Sequence, residues 1–514
     1  MKYKTIRLIL GDQLNINHSW FKQYDSSILY VLMEVKSEAL YVQHHIQKII
    51  AFFMAMRSFA EELKSRGHQV QYISINDINN KQNFKDNIHH LFQKYKAEKL
   101  EYQLPDEYRL DILIKGLENE LGIKLQAYDT EHFYTSRQEL ALFFRGKKTY
   151  LMESFYRYMR KKHNLLMNGE EPLTGKWNYD AENRKKISEK DLKKIPKPKI
   201  NDKNVTEILR DIEQQKIETI GVVNSQKFIW YTTRSESLEL LQYFVQYCLP
   251  EFGMYQDAMH TQHWSLYHSR LSFALNVKLI SPKEVVNKAI EYWQNNSDKV
   301  SIAQIEGFVR QIIGWREYMR GIYWAKMPEY ESLNFFGFER KLPDYYWSGN
   351  TKMNCLKHAI QQSLDYAYAH HIQRLMITGN FALLAGIHPD EVDNWYLGIY
   401  IDAIQWVEIT NTRGMSQFAD GGIVGTKPYV SSANYIAKMS NYCDDCFYNK
   451  NLKTGDKACP FNSLYWNFYN ANRKLLERNP RIGMMYNIWD KMSDNDKKTI
   501  LNQAEYYLEN VEKL

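Results

Sequence analysis

The sequence predicts a doubly wound parallel α/β sheet at the N-terminus, followed by an all-α domain. Three observations carry this expectation. Five mostly apolar runs of strand length alternate with helical stretches over the first 133 residues, strand signals vanish after about residue 230, and helical periodicity alone remains beyond that point. The runs are Thr5 to Leu10, Ile28 to Val35, Gln69 to Ile75, Lys99 to Leu104 and Ile123 to Tyr128, as expected of strands buried on both faces. Between them, helices are expected at about Tyr41 to Arg66, Phe84 to Tyr95 and Asp106 to Leu121. Strand, helix and parallel strand in alternation give the doubly wound topology, whose ligands bind outside the carboxyl ends of the strands.

At those ends the first strand runs into Gly11-Asp12-Gln13-Leu14, and the second is followed by Glu34, Glu38, Tyr41, His44 and His45. No Gly-x-Gly-x-x-Gly is present, which argues against an ordinary dinucleotide site. Acidic and amide groups there suit a polar heterocycle, and helix capping with solvated charge accounts for them equally well.

With 514 residues, 44% hydrophobic and 25% charged, the chain is long enough for separate cores in two or three domains. No membrane span is expected. Met1 to Leu10 runs directly into a strand with no apolar signal region, and cysteines are few, so a reducing cytoplasm is the expected compartment. The net charge of +7 suits an anionic partner without requiring one. Aromatic residues make up 14% of the chain, with 38 Tyr and 12 Trp, an unusual load to keep near polar stretches.

Domain boundaries are expected at 1–133, 134–229 and 230–514. The middle stretch reads as a connector over the surface. Phe155-Tyr156-Arg157-Tyr158-Met159-Arg160-Lys161-Lys162 mixes bases with aromatics, and Arg184 to Lys199 is lysine-rich with Pro196 and Pro198. Such interleaving can track a phosphate backbone, while the plain alternative is a solvated face. The third stretch is helical, as in Glu306 to Met319 and Met353 to Leu364, and it carries the cysteines. Cys443-x-x-Cys446, a further twelve residues, Cys459-Pro460 and the upstream Cys355 form a ligand set for metal. One Cys-x-x-Cys and a terminal Cys-Pro favour a [4Fe-4S] cluster over zinc, with buried free thiols as the plain alternative. Cys248 stands apart in an apolar context.

Three blocks of the helical stretch resemble one family. His268-Ser269-Arg270-Leu271-Ser272-Phe273-Ala274-Leu275, ending in Ile280-Ser281-Pro282, resembles the flavin-phosphate segment of photolyases and cryptochromes. Trp315-Arg316-Glu317-Tyr318 looks like their Trp-Arg-Glu helix, and His370-His371-Ile372-Gln373-Arg374 through Phe381 looks like the helix lining the isoalloxazine. With the four cysteines, the chain is similar over nearly its whole length to the iron-sulfur bacterial cryptochromes and photolyases, also called prokaryotic (6-4) photolyases.

That resemblance implies FAD in the helical domain, held by His268, Ser269, Arg270, Leu271, Ser272, Gln311, Arg374, Asn380, Asp402 and Glu408. It implies hopping positions at Trp395, Tyr396 and Trp347, whose plain alternative is core packing. His371 matches the lesion-facing histidine, His370 its neighbour, and the loop Arg413 to Tyr435, with Gly421, Gly422, Lys427, Tyr429 and Tyr435, is expected to receive a flipped lesion. An antenna, by resemblance 6,7-dimethyl-8-ribityllumazine, is expected near Asp12, Gln13, Glu38, Tyr41 and His44. The implied activity is light-driven repair of (6-4) photoproducts in damaged DNA by a monomer. A blue-light photoreceptor is the alternative, and a primase-like nucleic-acid module a further one. Protein partners, oligomeric state and any divalent cation are not legible.

Overall fold

The structure is a computed structural model that describes residues 3–182 and 185–514. Met1, ahead of the first expected strand, and Arg184, at the head of the lysine-rich stretch, lie outside the described residues. All five expected strands form: β1 (Thr5–Leu8), β2 (Ile28–Met33), β3 (Val70–Ile73), β4 (Lys99–Gln103) and β5 (Lys124–Tyr128). They pair in parallel in the order β3-β2-β1-β4-β5, so the winding reverses between β1 and β4. Central β2 is buried on both faces: Leu29, Val31 and Met33 enter one apolar core, while Tyr30 and Leu32 enter another. β5 departs from the expectation. It is an edge strand with Lys124, Gln126 and Ala127 exposed, where charge and polarity discourage further pairing.

Helices α1 (Ile46–Ser65), α2 (Phe84–Tyr95) and α3 (Tyr108–Leu121) cover the sheet. The first begins five residues later than its periodicity suggests because His45 caps it, accepting the Gln47 N–H at Nδ1, 3.0 Å. Nε2 of His45 lies 2.8 Å from the Leu364 carbonyl, so the same ring ties sheet to helical part. Burial lowers its pKa to about 4 from 6.5. The unfolded chain therefore takes up a proton that the native ring refuses, and this contribution to stability is full above pH 6.5 and lost as pH falls toward 4. Denaturant titrations across that window should show stability rising with pH, and His45→Gln should flatten part of the rise.

The middle stretch is more than a surface connector. Helix α4 (Met152–His163) buries Phe155, Tyr156, Met159 and Arg160, leaving only Arg157, Lys161 and Lys162 exposed. Arg160 spends its guanidinium on the carbonyls of Leu165, Leu166 and Trp177, which keeps a cation satisfied in the interior and unavailable to a phosphate. No strand follows the short Met167–Asn168 and Glu171–Pro172 hairpin among the described residues, and the rest is helical. One apolar core runs from the α1 face of the sheet through the helical part. Buried charges cross the same boundary: Lys278 reaches Asp106 at 2.6 Å and Asp12 at 3.3 Å, and Glu317 of the Trp-Arg-Glu block accepts the Thr135 N–H at 3.2 Å. No helix among the described residues is long and apolar enough to cross a membrane.

Candidate flavin, antenna and cysteine sites

The family resemblance places the flavin recess of the helical part at two π-helical turns that pack on each other, Arg374–Gly379 and Thr410–Ser416, a distortion that often marks functional sites. On the first, Arg374 forms a two-pronged pair with Asp402, Nη1 to Oδ1 at 3.0 Å and Nη2 to Oδ2 at 3.2 Å, and donates Nε to the Ala369 carbonyl at 2.7 Å. Burial works against the Arg374 charge, and Asp402 with Tyr400 more than restores it. Asn276 donates to the Asp402 carbonyl at 2.7 Å, anchoring this edge to the segment that follows His268.

His370 caps the short helix His371–Gln373 through its backbone N–H to Gln373 Oε1, 3.1 Å. Its ring is buried, stacks on His268 at 4.4 Å and 13°, and leaves both nitrogens without a partner. His371 differs. It is exposed. Burial, then the neighbouring Arg374, lowers its pKa to about 4, so the imidazole is neutral at pH 7 in this state. Across the recess, burial and then Asp393 push the Glu408 carboxyl well above the usual range, and its Oε1 is buried with no partner. A buried carboxyl oxygen without a partner is open to a hydrogen bond with a polar ring edge.

Other expected flavin residues separate in role. Arg270 is buried at positive φ (56°), donates to the Lys199 carbonyl at 2.6 Å, and has no carboxylate partner among the described residues. Burial lowers its pKa, and a buried cation without an anion is what a phosphate group would complete. Leu271 is core, Ser269 caps its own turn through the Leu271 N–H, and Ser272 opens a short helix, Ser272–Asn276. Gln311 is half-buried in a third π-helical turn, Arg310–Arg316. Asn380 is fully buried and exchanges hydrogen bonds with Ser431, Nδ2 to its carbonyl at 3.0 Å and Oδ1 from its N–H at 3.1 Å. Its amide is committed to holding the following loop, which argues for a structural role at this position.

The expected lesion loop is shorter than its sequence limits. Arg413 lies inside a π-helical turn, buried between Asp393 at 2.8 Å and Asp390, and Tyr435 lies in helix Ala433–Met439. Between them Gly421 and Gly422 hold φ of +65° and +107°, and a Cβ on Gly421 would meet the Phe335 ring at 2.8 Å. Tyr429 and Tyr435 are half-buried and Lys427 has no ion pair among the described residues.

Aromatic rings lead away from the Arg374–Asp402 pair. The Arg374 guanidinium lies 3.8 Å over Tyr400, whose ring is 5.9 Å from Trp395 and 5.5 Å from Tyr396, and Trp395 meets Tyr346 at 5.1 Å. Tyr345 continues the string at 5.7 Å from Tyr346. Trp347, 39% exposed, lies on the same short helix, Tyr345–Ser348. Sequence reading missed Tyr346 and Tyr400. The Tyr-Tyr-Trp triplet at 345–347 was visible, but which ring packs on Trp395 is a tertiary fact.

At the carboxyl ends of β1, β2 and β4 lies a cleft with about 120 Å³ of free space, partly open to solvent. Asp12, Glu38, Tyr41 and His44 line it. Glu38 holds Arg109 with two bonds, 2.6 and 3.0 Å, and Arg109 lies 3.9 Å over the Tyr41 ring. His44 is buried with Nδ1 unpartnered. Gly11 admits Phe52 and Met56 at the floor, where a Cβ would stand 3.3 and 3.1 Å from them. Gln13 does not line the cleft. Its amide accepts the Leu10 N–H at 3.0 Å and donates to the Gln103 carbonyl at 3.1 Å, closing the β1 and β4 ends instead. Lys48, unforeseen from sequence, joins cleft to recess: it lines the cleft, donates to the Leu397 carbonyl at 2.7 Å, and has its pKa lowered to about 7 by burial, against Glu107, Asp402 and Glu408.

The four cysteines, 104 residues apart at their extremes, line one small cavity with Tyr442, Lys450 and Phe461. Cys355 opens helix Asn354–Tyr366, Cys459 caps helix Pro460–Ala471, and Cys443 and Cys446 lie on the turn between. Burial, then the other three thiols, raises the Cys355 pKa well above the usual value, and burial, then Cys446, raises Cys443 to about 11. Thiolates that repel each other in an apolar site call for a cationic centre. Cys248 is buried elsewhere, against Tyr243.

A parallel sheet joined to a helical part in this way is the photolyase and cryptochrome architecture. It matches a bacterial class III photolyase from Agrobacterium tumefaciens with TM-score 0.54 at 14% identity, over 84% of this chain and 82% of that one. A Synechocystis cryptochrome matches equally, with TM-score 0.54 at 12% identity over 85% and 86%. Residues 7–228 match the family described as deoxyribodipyrimidine photo-lyase-related protein, and a (6-4) photolyase of Agrobacterium fabrum is 42% identical over 503 residues, 98% of each chain. The chain belongs to this photolyase-related family, on the branch that includes the (6-4) photolyase.

Proposed function

We propose that the protein is a (6-4) photolyase: it binds ultraviolet-damaged DNA and uses light to repair (6-4) photoproducts with reduced FAD. The observation that carries the reading is the Arg374–Asp402 pair, with a string of aromatic rings leading away from it, His371 exposed three residues before Arg374, and Glu408, whose carboxyl pKa is pushed up by burial. It is joined by the name of the relative that is 42% identical end to end.

The residues present fit FAD. Arg270 offers a buried cation without an anion, and Glu408 and His370 offer buried polar atoms without partners. When bound, FAD would supply the light-driven one-electron chemistry. Arg374 holds positive charge at the recess and favours negative charge nearby, while Asp402 fixes the direction of its guanidinium. His371 stands at the open side, where it can hand a proton to a flipped base, and Tyr429, Tyr435 and the glycine loop form the receiving surface. The cleft at the strand ends would take the lumazine antenna through Glu38, Tyr41 and His44, and the four cysteines would hold a [4Fe-4S] cluster that ties helices together.

The test is direct. Prereduced, illuminated protein should restore (6-4) photoproducts in a damaged duplex, followed by chromatography of the oligonucleotide, in which the repaired strand replaces the lesion-bearing one, with binding that weakens as salt rises. Flavin bound without repair would turn the reading into a blue-light photoreceptor. An absorption spectrum should show flavin, lumazine and cluster as three separate signatures.

The ring string gives its own expectation. Trp395→Phe should bind flavin normally but photoreduce it slowly in the presence of an external reductant, and chemical prereduction should bypass the defect and leave repair intact. Photoreduction at the parental rate would show that Trp395 only packs.

A further inference from the structure

The Arg374–Asp402 pair is the meeting point of two strings of aromatic rings, and only one has been used so far. The second shares no residue with the first. It starts at Tyr368, buried beside Ala369, whose carbonyl accepts Arg374 Nε. Arg374 and Asp402 both act electrostatically on the Tyr368 phenol, which places it at the pair. Its ring is 5.7 Å from Trp264, and Trp264 lies flat on Tyr366 at 4.7 Å and 9°. Buried Trp230 flanks both, 6.0 Å from Tyr368 and 6.4 Å from Trp264. Trp264 and Tyr366 are only half-buried, so this string runs from the recess to solvent.

We propose that Tyr368, Trp264 and Tyr366 form a second electron-entry branch to the recess, in parallel with the Tyr400–Trp395–Tyr346 branch. The proposal rests on the flavin reading of the recess. Tunnelling falls off exponentially with distance, so adjoining rings carry an electron outward to inward far faster than one long jump. The stacked Trp264–Tyr366 pair, with its two π-faces overlapping, is the best-coupled step. Arg270 lies 5.2 Å from the Trp264 ring and disfavours a lasting positive charge there, which drives the vacancy on to Tyr366. The balance is one electron in and one out: the flavin takes an electron through Tyr368 from Trp264, Tyr366 refills Trp264 and loses its phenolic proton to water. A thiol reductant then returns one electron and one proton to the neutral tyrosyl radical.

Parallel routes have a signature that packing lacks. In flavin-loaded protein with dithiothreitol, Trp264→Phe should lower the photoreduction rate modestly when Trp395 is present, by the share this branch carries. In the Trp395→Phe background it should lower the residual rate by about tenfold. Illuminated Trp395→Phe protein without reductant should show a tyrosyl radical by electron paramagnetic resonance, lost in Trp395→Phe/Tyr366→Phe. Equal factors in both backgrounds, or no radical that depends on Tyr366, would overturn the branch. Parental protein that binds flavin and does not photoreduce would overturn the photochemistry of the proposed function first, and the branch with it.

Discussion

His371→Ala should retain flavin, iron and affinity for damaged DNA while losing light-driven repair by on the order of a hundredfold or more, the contribution of a positioned general acid. The geometry supports so large an effect because the His371 side chain is exposed, whereas His370 is buried and stacked on the half-buried His268. The pKa of about 4 adds a second, sharper expectation. A neutral imidazole is a poor acid, so the proton must be acquired in the complex, where DNA phosphate and negative charge in the recess raise the pKa. Among complexed enzyme, repair per photon should therefore fall on the alkaline side with an apparent pKa above the free-enzyme value, and His371→Ala should lack that limb. A variant that repairs within a few-fold of the parent would assign the proton to another group.

Cys355→Ser should cost the protein its fold. The four thiols draw helix Asn354–Tyr366, helix Ala433–Met439 and helix Pro460–Ala471 around one cavity, and these helices are the scaffold behind His370 and Gln373. Tyr442, next to Cys443, accepts from Gln373 at 3.0 Å, and Gln373 accepts the His370 N–H. Losing a centre that staples distant segments removes stability comparable to the roughly 5–15 kcal/mol that folded proteins possess. Soluble yield and cooperative unfolding should collapse together, and metal analysis of the parent should find about four iron and four sulfide per chain. Cys248→Ser should be mild, since its thiol lies outside the cavity. Stoichiometric zinc in place of iron would reject the cluster.

The parallel sheet was legible because its signal is local. Apolar runs bounded by helices specify strands, and alternation with helices specifies parallel pairing, whatever lies elsewhere in the chain. The His370-His371 pair, Arg374 and the Cys443-x-x-Cys446 knuckle stand out in the sequence for the same reason, since each lies within a few consecutive residues. Roles that depend on a partner far along the chain were not. Gln13 and Asn380 carry residue types that suit a ligand, yet Gln103 and Ser431 claim their amides, and nothing near either in sequence announces it. The stretch Phe155 to Lys162 reads as a surface connector whose bases either track a phosphate backbone or are solvated, yet Arg160 turns inward onto three carbonyls.

What the sequence by itself determined, then, is the order of the strands along the chain, the residue types available for flavin, metal and proton transfer, and the family resemblance that joins them. Tertiary structure alone decided which atoms remain free to act. Cysteines 104 residues apart share one cavity, Lys48 of the sheet domain reaches between cleft and recess, and Tyr346 rather than Trp347 touches Trp395. The physical reason is that a buried polar group must satisfy its hydrogen bonds and a ring must pack on some neighbour, and both choices are settled only when distant segments meet.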